Sequence, residues 1–227
     1  MALLKTIDVV KTYITGPQKV EVLKGVSLNI DAKEFMAITG KSGSGKTTLM
    51  NILGCLDTPT SGTYLIDGTD VSNMDEDQLA HVRNKKIGFV FQRFNLLQDM
   101  TALENVTLAQ LYAKVPERQA NKRSAQLLEM VGLGHRLKHF PTEMSGGEQQ
   151  RVAVARALAN NPSIILADEP TGNLDSATGE KILHLFKDLN KQKGVTVIII
   201  THDQHVAEET DRIVRLKDGK IIEDKKI

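Results

Sequence analysis

The sequence predicts an α/β domain with a mostly parallel core sheet, an N-terminal antiparallel β region and an inserted helical region. Three observations support this fold class. Short apolar segments such as "IGFVF", "SIILADE" and "VTVIIITH" alternate with helical patterns, which is typical of a parallel sheet covered on both faces. Strand patterns separated by turn signals fill the chain up to about Asp70. Helical periodicity then dominates from Asp75 to Phe140.

The individual elements follow from these patterns. The predicted N-terminal strands are "LLKTIDVVKTY", "EVLKGVSLNI", "EFMAITG" and "GTYLIDGTDV", and the last contains Asp67-Gly68, which favours a tight hairpin. The predicted middle helices are "EDQLAHVRNK", "TALENVTLAQLYAK" and "ERQANKRSAQLLEMVGL", interrupted by the strand "IGFVF". The chain then continues with the strand "SIILADE", the helix "SATGEKILHLFKDLNKQ", the strand "VTVIIITH" and the hairpin "RIVRLKDGKII" around Asp218-Gly219.

Composition and charge narrow the possible classes of function. The 227 residues carry 29 basic and 28 acidic side chains, a net charge of +1, so no broad basic surface for nucleic acid is expected. The longest apolar runs, such as "VIII" at 197–200, are far shorter than the roughly 20 residues that cross a bilayer. The single cysteine, Cys55, fits a reducing compartment. These features predict a cytoplasmic protein without a membrane span.

A glycine-rich loop, "GKSGSGKT" at 40–47, fits the phosphate-loop pattern G-x-x-x-x-G-K-[ST]. It follows a predicted strand and opens a predicted helix, which is the context that the motif requires. Its glycines let successive N–H groups point at phosphate oxygens above a helix N-terminus. We expect Lys46 to contact the β- and γ-phosphates and Thr47 to bind Mg²⁺. The predicted nucleotide-binding residues of this segment are Gly40, Lys41, Ser42, Gly43, Ser44, Gly45, Lys46, Thr47 and Thr48.

Polar side chains follow three buried strands at what should be one edge of the parallel sheet. Asp168 is expected to hold Mg²⁺, and Glu169 to polarise the attacking water as general base. Gln92 is expected to reach both Mg²⁺ and that water, and His202 to contact the γ-phosphate. In isolation an Asp-Glu pair is more often a solvated loop and a lone histidine more often structural. Beside a phosphate loop, the pattern instead predicts four catalytic residues: Lys46, Gln92, Glu169 and His202.

The base of the nucleotide is predicted to be adenine. A small-GTPase interpretation needs an Asn-Lys-x-Asp stretch to bind guanine, and the nearest segment, "NKQK" at Asn190, lacks the acidic residue. Tyr13, at the end of the first strand, is then placed to stack on adenine, the alternative being an ordinary surface aromatic residue.

A second anion-binding turn occurs in "MSGGEQQRVAVARAL" at 144–158, where Ser-Gly-Gly leads directly into a helix. If the helical region lies to one side of the sheet, this turn cannot reach the nucleotide held by the loop at 40–47. The second turn therefore needs a nucleotide that is held elsewhere.

With these motifs the chain resembles the nucleotide-binding ATPase of ABC transporters. The resemblance rests on the phosphate loop, Gln92, the Ser-Gly-Gly turn, "ILADE", "NLD" and "THD" in this order. It implies a head-to-tail dimer of two copies that sandwiches two ATP molecules with Mg²⁺. The turn reads "MSGGE" where the commonest family wording is "LSGGQ", so Glu148 adds a negative charge beside a polyphosphate. The residues implied to contact the partner's nucleotide are Ser145, Gly146, Gly147, Glu148 and Asp175.

The resemblance also implies a domain organisation. The expected fold is the P-loop NTPase fold of ABC type, formed by one ATPase domain at 1–227. Its core and antiparallel β subdomain are expected at 1–92 and 160–227. Its helical subdomain, including the signature helix, is expected at about 93–159.

Several sequence segments are similar to those of the branch of macrolide exporters and lipoprotein-release ATPases: "GCLDTPTSG", "GFVFQRFNLL", "TALENV" and "LADEPTGNLD". This similarity implies a separate bacterial membrane permease, driven for export or extraction by mechanical coupling, and a peripheral location on the inner face of the membrane. The permease is expected to dock in a groove near Arg93 to Leu111. The alternative for that segment is core packing of its apolar side chains, namely Phe94, Leu96, Leu97 and Leu103.

Two other functions fit the motifs less well. One is a soluble ABC ATPase not coupled to a permease, but the chain has neither a second ATPase domain nor a long coiled-coil insertion. The other is a non-catalytic ATP sensor, which the presence of Glu169 and His202 disfavours. The transported or extracted molecule has no signature in this sequence.

Overall fold

The structure, a computed structural model, describes residues 2–227, and Met1 of the predicted domain at 1–227 lies outside the described residues. Its strands are β1 (Ala2–Thr15), β2 (Gln18–Asp31), β3 (Phe35–Thr39), β4 (Ser61–Ile66), β5 (Thr69–Asp70), β6 (Ile87–Phe91), β7 (Ile164–Asp168), β8 (Thr196–Thr201), β9 (Arg212–Lys217) and β10 (Lys220–Lys226). Its helices are α1 (Lys46–Leu53), α2 (Glu76–Lys86), α3 (Ala102–Tyr112), α4 (Glu117–Met130), α5 (Gly146–Ala157), α6 (Ser176–Lys193) and α7 (Gln204–Glu208).

The smaller of two sheets is antiparallel and has the order β2-β1-β4-β5. Its long β1–β2 pair runs from Ala2 opposite Asp31 to Thr15 opposite Gln18. Asp67 and Gly68 connect β4 to β5 with φ of 50° and 76°, the left-handed conformation that a tight turn of this kind needs. The predicted N-terminal antiparallel region is thereby confirmed.

The larger sheet has the order β10-β9-β3-β8-β7-β6 and is parallel except for β10. The register pairs Thr39 with Thr201 and Asp168 with both Ile200 and Phe91. The carboxyl ends of β3, β6, β7 and β8 therefore meet at one edge of the sheet. This edge is where open α/β sheets bind ligands.

Side chains of the central strands alternate between two hydrophobic clusters. Ile165 and Ala167 of β7 belong to a cluster that includes side chains of α5 and α6, which we call the α5–α6 side cluster. Ile164 and Leu166 belong to the opposite cluster, which includes α1 and the smaller sheet. The parallel sheet is thus covered on both faces, as its uninterrupted apolar strands predicted.

The helical region contains α3 and α4 and joins the core through α5. Thr101 and Glu104 form a capping box that begins α3. Val106 of α3 and Leu128 of α4 share the α5–α6 side cluster with the sheet. A Cβ on Gly88 of β6 would lie 2.4 Å from the carbonyl oxygen of Ala157 in α5, so this helix packs directly on the edge strand. The division at 93–159 remains a prediction, because the region and the sheet share one core.

The predicted helices and strands are confirmed, and α7 is an additional helix. With five residues, α7 is too short to generate a periodic pattern, and Asp203 caps it by accepting the His205 N–H. Among the described residues, no helix combines the length and apolar character required to cross a lipid bilayer.

Candidate functional site

The phosphate loop lies between β3 and α1 and has three glycines with positive φ. Gly40, Gly43 and Gly45 have φ of 157°, 77° and 102°, values that residues with a side chain rarely adopt. Gly45 is the N-cap residue of α1 and supplies no side-chain cap. The first N–H groups of this helix are therefore available to an anion, with the positive end of the helix dipole beneath it.

The loop is supported from behind by the β9–β10 hairpin. A Cβ on Gly40 would lie 2.3 Å from the carbonyl oxygen of Leu216 and 2.5 Å from Ser44 Oγ. The Gly219 N–H donates to the carbonyl oxygen of Ser44 at 3.1 Å. The hairpin thus fixes both the beginning and the middle of the loop, and Gly40 has no room for a side chain.

Polar groups of the loop fit a phosphate ligand. Ser44 Oγ and Thr39 Oγ1 are buried and, within residues 2–227, have no hydrogen-bond partner. Lys46 Nζ donates to the carbonyl oxygens of Gly40 and Lys41 at 2.7 and 3.2 Å, which holds the ammonium over the loop. Thr47 is exposed on the first turn of α1. These donors and hydroxyls suit a triphosphate and its metal ion.

Glu169 and His202 meet at the edge of the sheet. Glu169 Oε1 lies 2.6 Å from His202 Nδ1 and accepts the His202 backbone N–H at 3.0 Å. Its Oε2 accepts the Thr201 hydroxyl at 3.0 Å. The carboxylate is 17% exposed and the imidazole 72% exposed, so the pair opens towards solvent through the histidine. The sequence predicted separate roles for these residues, and the structure makes them a single hydrogen-bonded unit.

Asp168 and Gln92 end the adjacent strands β7 and β6. Burial raises the pKa of Asp168, Glu169 raises it further, and Lys46 opposes the shift, so these three charged groups act on one another. Among the described residues there is no cluster of three His, Cys, Asp or Glu side chains suited to a metal ion. A Mg²⁺ ion bound here would be held by a hydroxyl, a carboxylate or an amide of the protein together with phosphate oxygens.

The segment after Gln92 is held by two neighbouring elements. Asn173 Nδ2 donates to the carbonyl oxygen of Gln92 at 2.9 Å. The Arg156 guanidinium donates to the carbonyl oxygens of Phe94, at 2.9 Å, and Asn95. Phe94 and Asn95 have positive φ of 58° and 50°. Burial lowers the pKa of the Arg156 guanidinium. Arg156 thereby fixes an unfavourable backbone next to the predicted Mg²⁺ residue.

Tyr13 is 37% exposed near the end of β1, and its hydroxyl donates to Asp57 Oδ2 at 2.8 Å. Asp57 Oδ1 is paired with Lys11 Nζ at 2.5 Å, and that ammonium lies 5.1 Å from the centre of the tyrosine ring. Burial, followed by the bond to Asp57, raises the pKa of Tyr13. The ring is therefore held in place by its contacts with Asp57 and Lys11.

The Ser-Gly-Gly turn begins α5 with a capping box. The Ser145 N–H donates to Glu148 Oε2 at 2.8 Å, and the Glu148 N–H donates to Ser145 Oγ at 3.3 Å. Glu148 Oε1 accepts from Arg136 Nε at 3.0 Å. The carboxylate of Glu148 is thus occupied within its own chain, and its contact with a partner nucleotide stays a prediction.

Gly146 and Gly147 pack against the segment that follows β7. A Cβ on Gly147 would lie 2.4 Å from Thr178 Cγ2, and one on Gly146 would lie 3.3 Å from Leu174 Cδ2. Asp175 is the N-cap residue of α6 and accepts the Thr178 N–H at 3.0 Å. The turn therefore packs against the start of α6, which Asp175 caps, and is separate in the chain from the phosphate-loop residues.

Of the four apolar residues named for the core-packing alternative, three are core residues. Leu96 is buried, and Phe94 and Leu103 pack against the α5–α6 side cluster, so the alternative of core packing holds for these three. Leu97 is 42% exposed.

A family model described as ABC transporter matches residues 23–172. The chain belongs to the ABC transporter family. It is 55% identical over 218 residues to an ABC transporter ATP-binding protein of Thermotoga maritima, covering 96% of this chain and 93% of the relative. It is also 55% identical over 223 residues to the macrolide export ATP-binding/permease protein MacB of Syntrophobacter fumaroxidans. That match covers 97% of this chain but 31% of the relative, so the cassette spans about a third of that longer protein.

Solved structures of similar cassettes confirm the fold. The chain is 49% identical to the ATP-binding cassette MJ0796, with a TM-score of 0.90 and coverage of 98% of both chains. One structure of that protein is described as a dimeric post-hydrolysis state bound to ADP and Pi. These comparisons confirm the predicted α/β cassette fold and the predicted ATP hydrolysis.

Proposed function

We propose that this cassette hydrolyses ATP as part of a head-to-tail pair of copies and drives a separate bacterial membrane permease. One observation carries the proposal: the chain has two anion-binding turns, and each is built into a different part of the structure. The phosphate loop is supported by the β9–β10 hairpin, whereas the Ser-Gly-Gly turn packs on Leu174 and Thr178. Two separate turns suit two nucleotides, each of which contacts both copies.

The hydrolytic roles that the geometry supports follow the strand ends. Lys46 and the N–H groups at the start of α1 hold the phosphates. Glu169 accepts a proton from the attacking water, and Thr201 together with the backbone of His202 keeps its carboxylate oriented. The exposed ring of His202 then faces the γ-phosphate.

The residues proposed to hold Mg²⁺ are Thr47, Gln92 and Asp168. When bound, Mg²⁺ supplies positive charge that offsets the charge developing on the transferred phosphoryl group. The burial that raises the pKa of Asp168 also strengthens its attraction to a divalent cation. Tyr13, held by Asp57 and Lys11, provides the surface on which adenine stacks.

The proposed partner contacts use the second turn. Ser145, Gly146, Gly147 and Asp175 face the nucleotide of the other copy, and the dimeric state described for MJ0796 supports this arrangement. Closure of the pair on ATP and its loosening after hydrolysis is the proposed mechanical step.

The permease is proposed to dock where the helical region meets the edge of the core sheet. A groove of about 1350 Å³ lies between α2, β6, α3 and α4, and its wall includes Asn95, Ala109 and Gln110 from the predicted docking segment. Tyr112, which also lines the groove, is 78% exposed. The relatives named as ATP-binding/permease proteins support a permease partner. This partner would place the cassette on the cytoplasmic, inner face of the membrane, and export is the proposed direction.

Glu169→Gln tests the catalytic and dimeric parts of the proposal. We expect ATP hydrolysis to fall by about a hundredfold or more, because the general base is lost, while an ATP-bound pair persists. Phosphate release and sedimentation with saturating ATP measure the two effects. Lys46→Ala is the contrasting variant and should lose nucleotide binding instead. A Glu169→Gln protein that keeps its turnover, or that sediments as single subunits at every concentration, would contradict the proposal.

Tyr112→Ser tests the docking groove. Membranes of the native cell should yield the tagged cassette together with one integral membrane protein, and this variant should reduce the recovery without changing ATP hydrolysis by the purified cassette. Ile14→Ser, at an exposed apolar residue of the β1–β2 hairpin, is the matched control. Equal recovery with both variants would place the permease contact elsewhere.

A further inference from the structure

The charge of Glu148 poses a physical problem for the second turn. Its carboxylate lies in the first turn of α5, where the helix N-terminus would otherwise attract an anion. A negative side chain at this position favours the helix itself but repels a triphosphate that approaches the same N–H groups. The turn therefore needs a device that offsets this charge.

Arg136 supplies an opposite charge from a fixed position. Its Nε donates to Glu148 Oε1 at 3.0 Å, and the two side chains are 33% and 15% exposed. The backbone of Arg136 is held by hydrogen bonds to Leu133 and His139, and Leu133 is fully buried. Acceptance of the Ser145 N–H is the largest influence lowering the pKa of Glu148, and Arg136 adds to it. The carboxylate is thus ionised and drawn back towards its own chain.

We propose that Arg136 is a positioning residue that neutralises Glu148 and holds it inward, so that the Ser145–Gly147 turn accepts the triphosphate of a second copy. The inference rests on the proposed function, because the triphosphate belongs to the other subunit of the pair. Glu148 orients the turn through its bond to the Ser145 N–H, and Arg136 removes the electrostatic cost of that arrangement.

Other charged groups near the turn do not supply this contact. Arg151 Nη1 lies 3.8 Å from the Cβ position of Gly147, but it forms no ion pair with Glu148 in the described chain. Glu143 accepts the Phe140 N–H at 2.8 Å and so is engaged in its own turn. Arg136 is the ion-pair partner of Glu148 across residues 2–227.

The test uses full-length protein that carries Glu169→Gln to arrest hydrolysis. Into this parent we introduce Arg136→Gln, Glu148→Gln, both together, or Lys187→Gln as the control. Lys187 forms a different ion pair, with Glu209. Lys187→Gln removes one positive charge, as Arg136→Gln does, but leaves the pair with Glu148 intact. Gln at 148 retains a capping-box acceptor for the Ser145 N–H but removes the negative charge. Sedimentation with ATP at low and high salt gives the dimer dissociation constant, and a fluorescent ATP analogue gives the affinity of single subunits.

Arg136→Gln should weaken ATP-driven dimerisation by about tenfold, since two turns in each pair lose a few-fold apiece, and the loss should shrink at high salt. Glu148→Gln should tighten the dimer, and the double variant should return close to the parent. The affinity of single subunits for the analogue and the melting temperature should match those of the control. Equal dimerisation of Arg136→Gln and the parent would overturn the inference alone, as would a double variant as weak as Arg136→Gln. A parent that stays monomeric with ATP would overturn the proposed assembly and the inference together.

Discussion

The phosphate loop and the Ser-Gly-Gly turn are similar in sequence and differ in construction. Both place glycines before a helix N-terminus, but the glycines serve different needs. Gly40, Gly43 and Gly45 have positive φ, so they provide a backbone shape that curls around an anion. Gly146 and Gly147 have no such conformation, and they are small because Leu174 and Thr178 press against them.

The two helix beginnings differ in the same way. Gly45 leaves the start of α1 without a side-chain cap, whereas Ser145 and Glu148 cap α5 reciprocally. The N–H groups of the first loop are available to bind an anion directly, and Lys46 adds a positive charge beside them. In the second turn the Ser145 and Glu148 N–H groups are already bonded within the chain, and the glycines between them are shaped by their neighbours. An anion at the second turn therefore depends on the correct position of the packed segment around it.

Gly40→Ala is expected to have the largest effect on this comparison. The new Cβ would lie 2.3 Å from the carbonyl oxygen of Leu216, and we expect about 3 kcal/mol of strain, or a hundredfold loss of ATP affinity. Isothermal titration with ATP measures it. Gly43→Ala is the matched control, because its Cβ meets nothing within 4 Å among the described residues and costs about 1 kcal/mol through φ alone. Equal losses would mean that contact with the hairpin does not determine the first loop.

Gly147→Ala should have an intermediate effect, through packing in its own chain. Its Cβ would lie 2.4 Å from Thr178 Cγ2, so we expect a loss of about 1–3 kcal/mol in the free energy of unfolding. Thr178→Ser removes the clashing methyl group and should restore most of this stability in the double variant. Urea denaturation measures both. A double variant no more stable than Gly147→Ala would show that the glycine is needed for another reason.

Asp57→Ala should have the smallest effect, because it removes a support of Tyr13 rather than a phosphate contact. We expect the KM for ATP to rise about fivefold, which corresponds to the free energy of one hydrogen bond, with kcat almost unchanged. Tyr13→Phe removes the same hydrogen bond from the other side, so the double variant should be no worse than Asp57→Ala, which also loses the pair with Lys11. Steady-state phosphate release measures these constants. Additive losses would separate the roles of the two residues.

The sequence predicted the fold and the positions of the motifs because both depend on local patterns. Apolar runs at 164–167 and 197–200 predicted central parallel strands, and their register brings Asp168 and Thr201 to one edge. The glycines of the phosphate loop were equally predictable, because a strand-to-helix turn that binds phosphate needs their backbone freedom.

Contacts between distant segments could not be predicted in this way. Nothing in the sequence around Glu148 indicates that Arg136 binds it, since the pair depends on how a 3₁₀ turn at Gly134–Arg136 docks on α5. The same applies to Asp57, which lies 44 residues from Tyr13. It was visible in "GCLDTPTSG", but its partner became identifiable only with the pairing of the smaller sheet and α1. Side-chain partners follow from tertiary packing, which periodicity does not encode.

The contact between Gly219 and Ser44 has a consequence for biosynthesis. The phosphate loop at 40–47 is supported by a hairpin near the other end of the described chain. We therefore expect a nascent polypeptide to complete its ATP pocket only after that hairpin has left the ribosome, when most of the cassette has been translated.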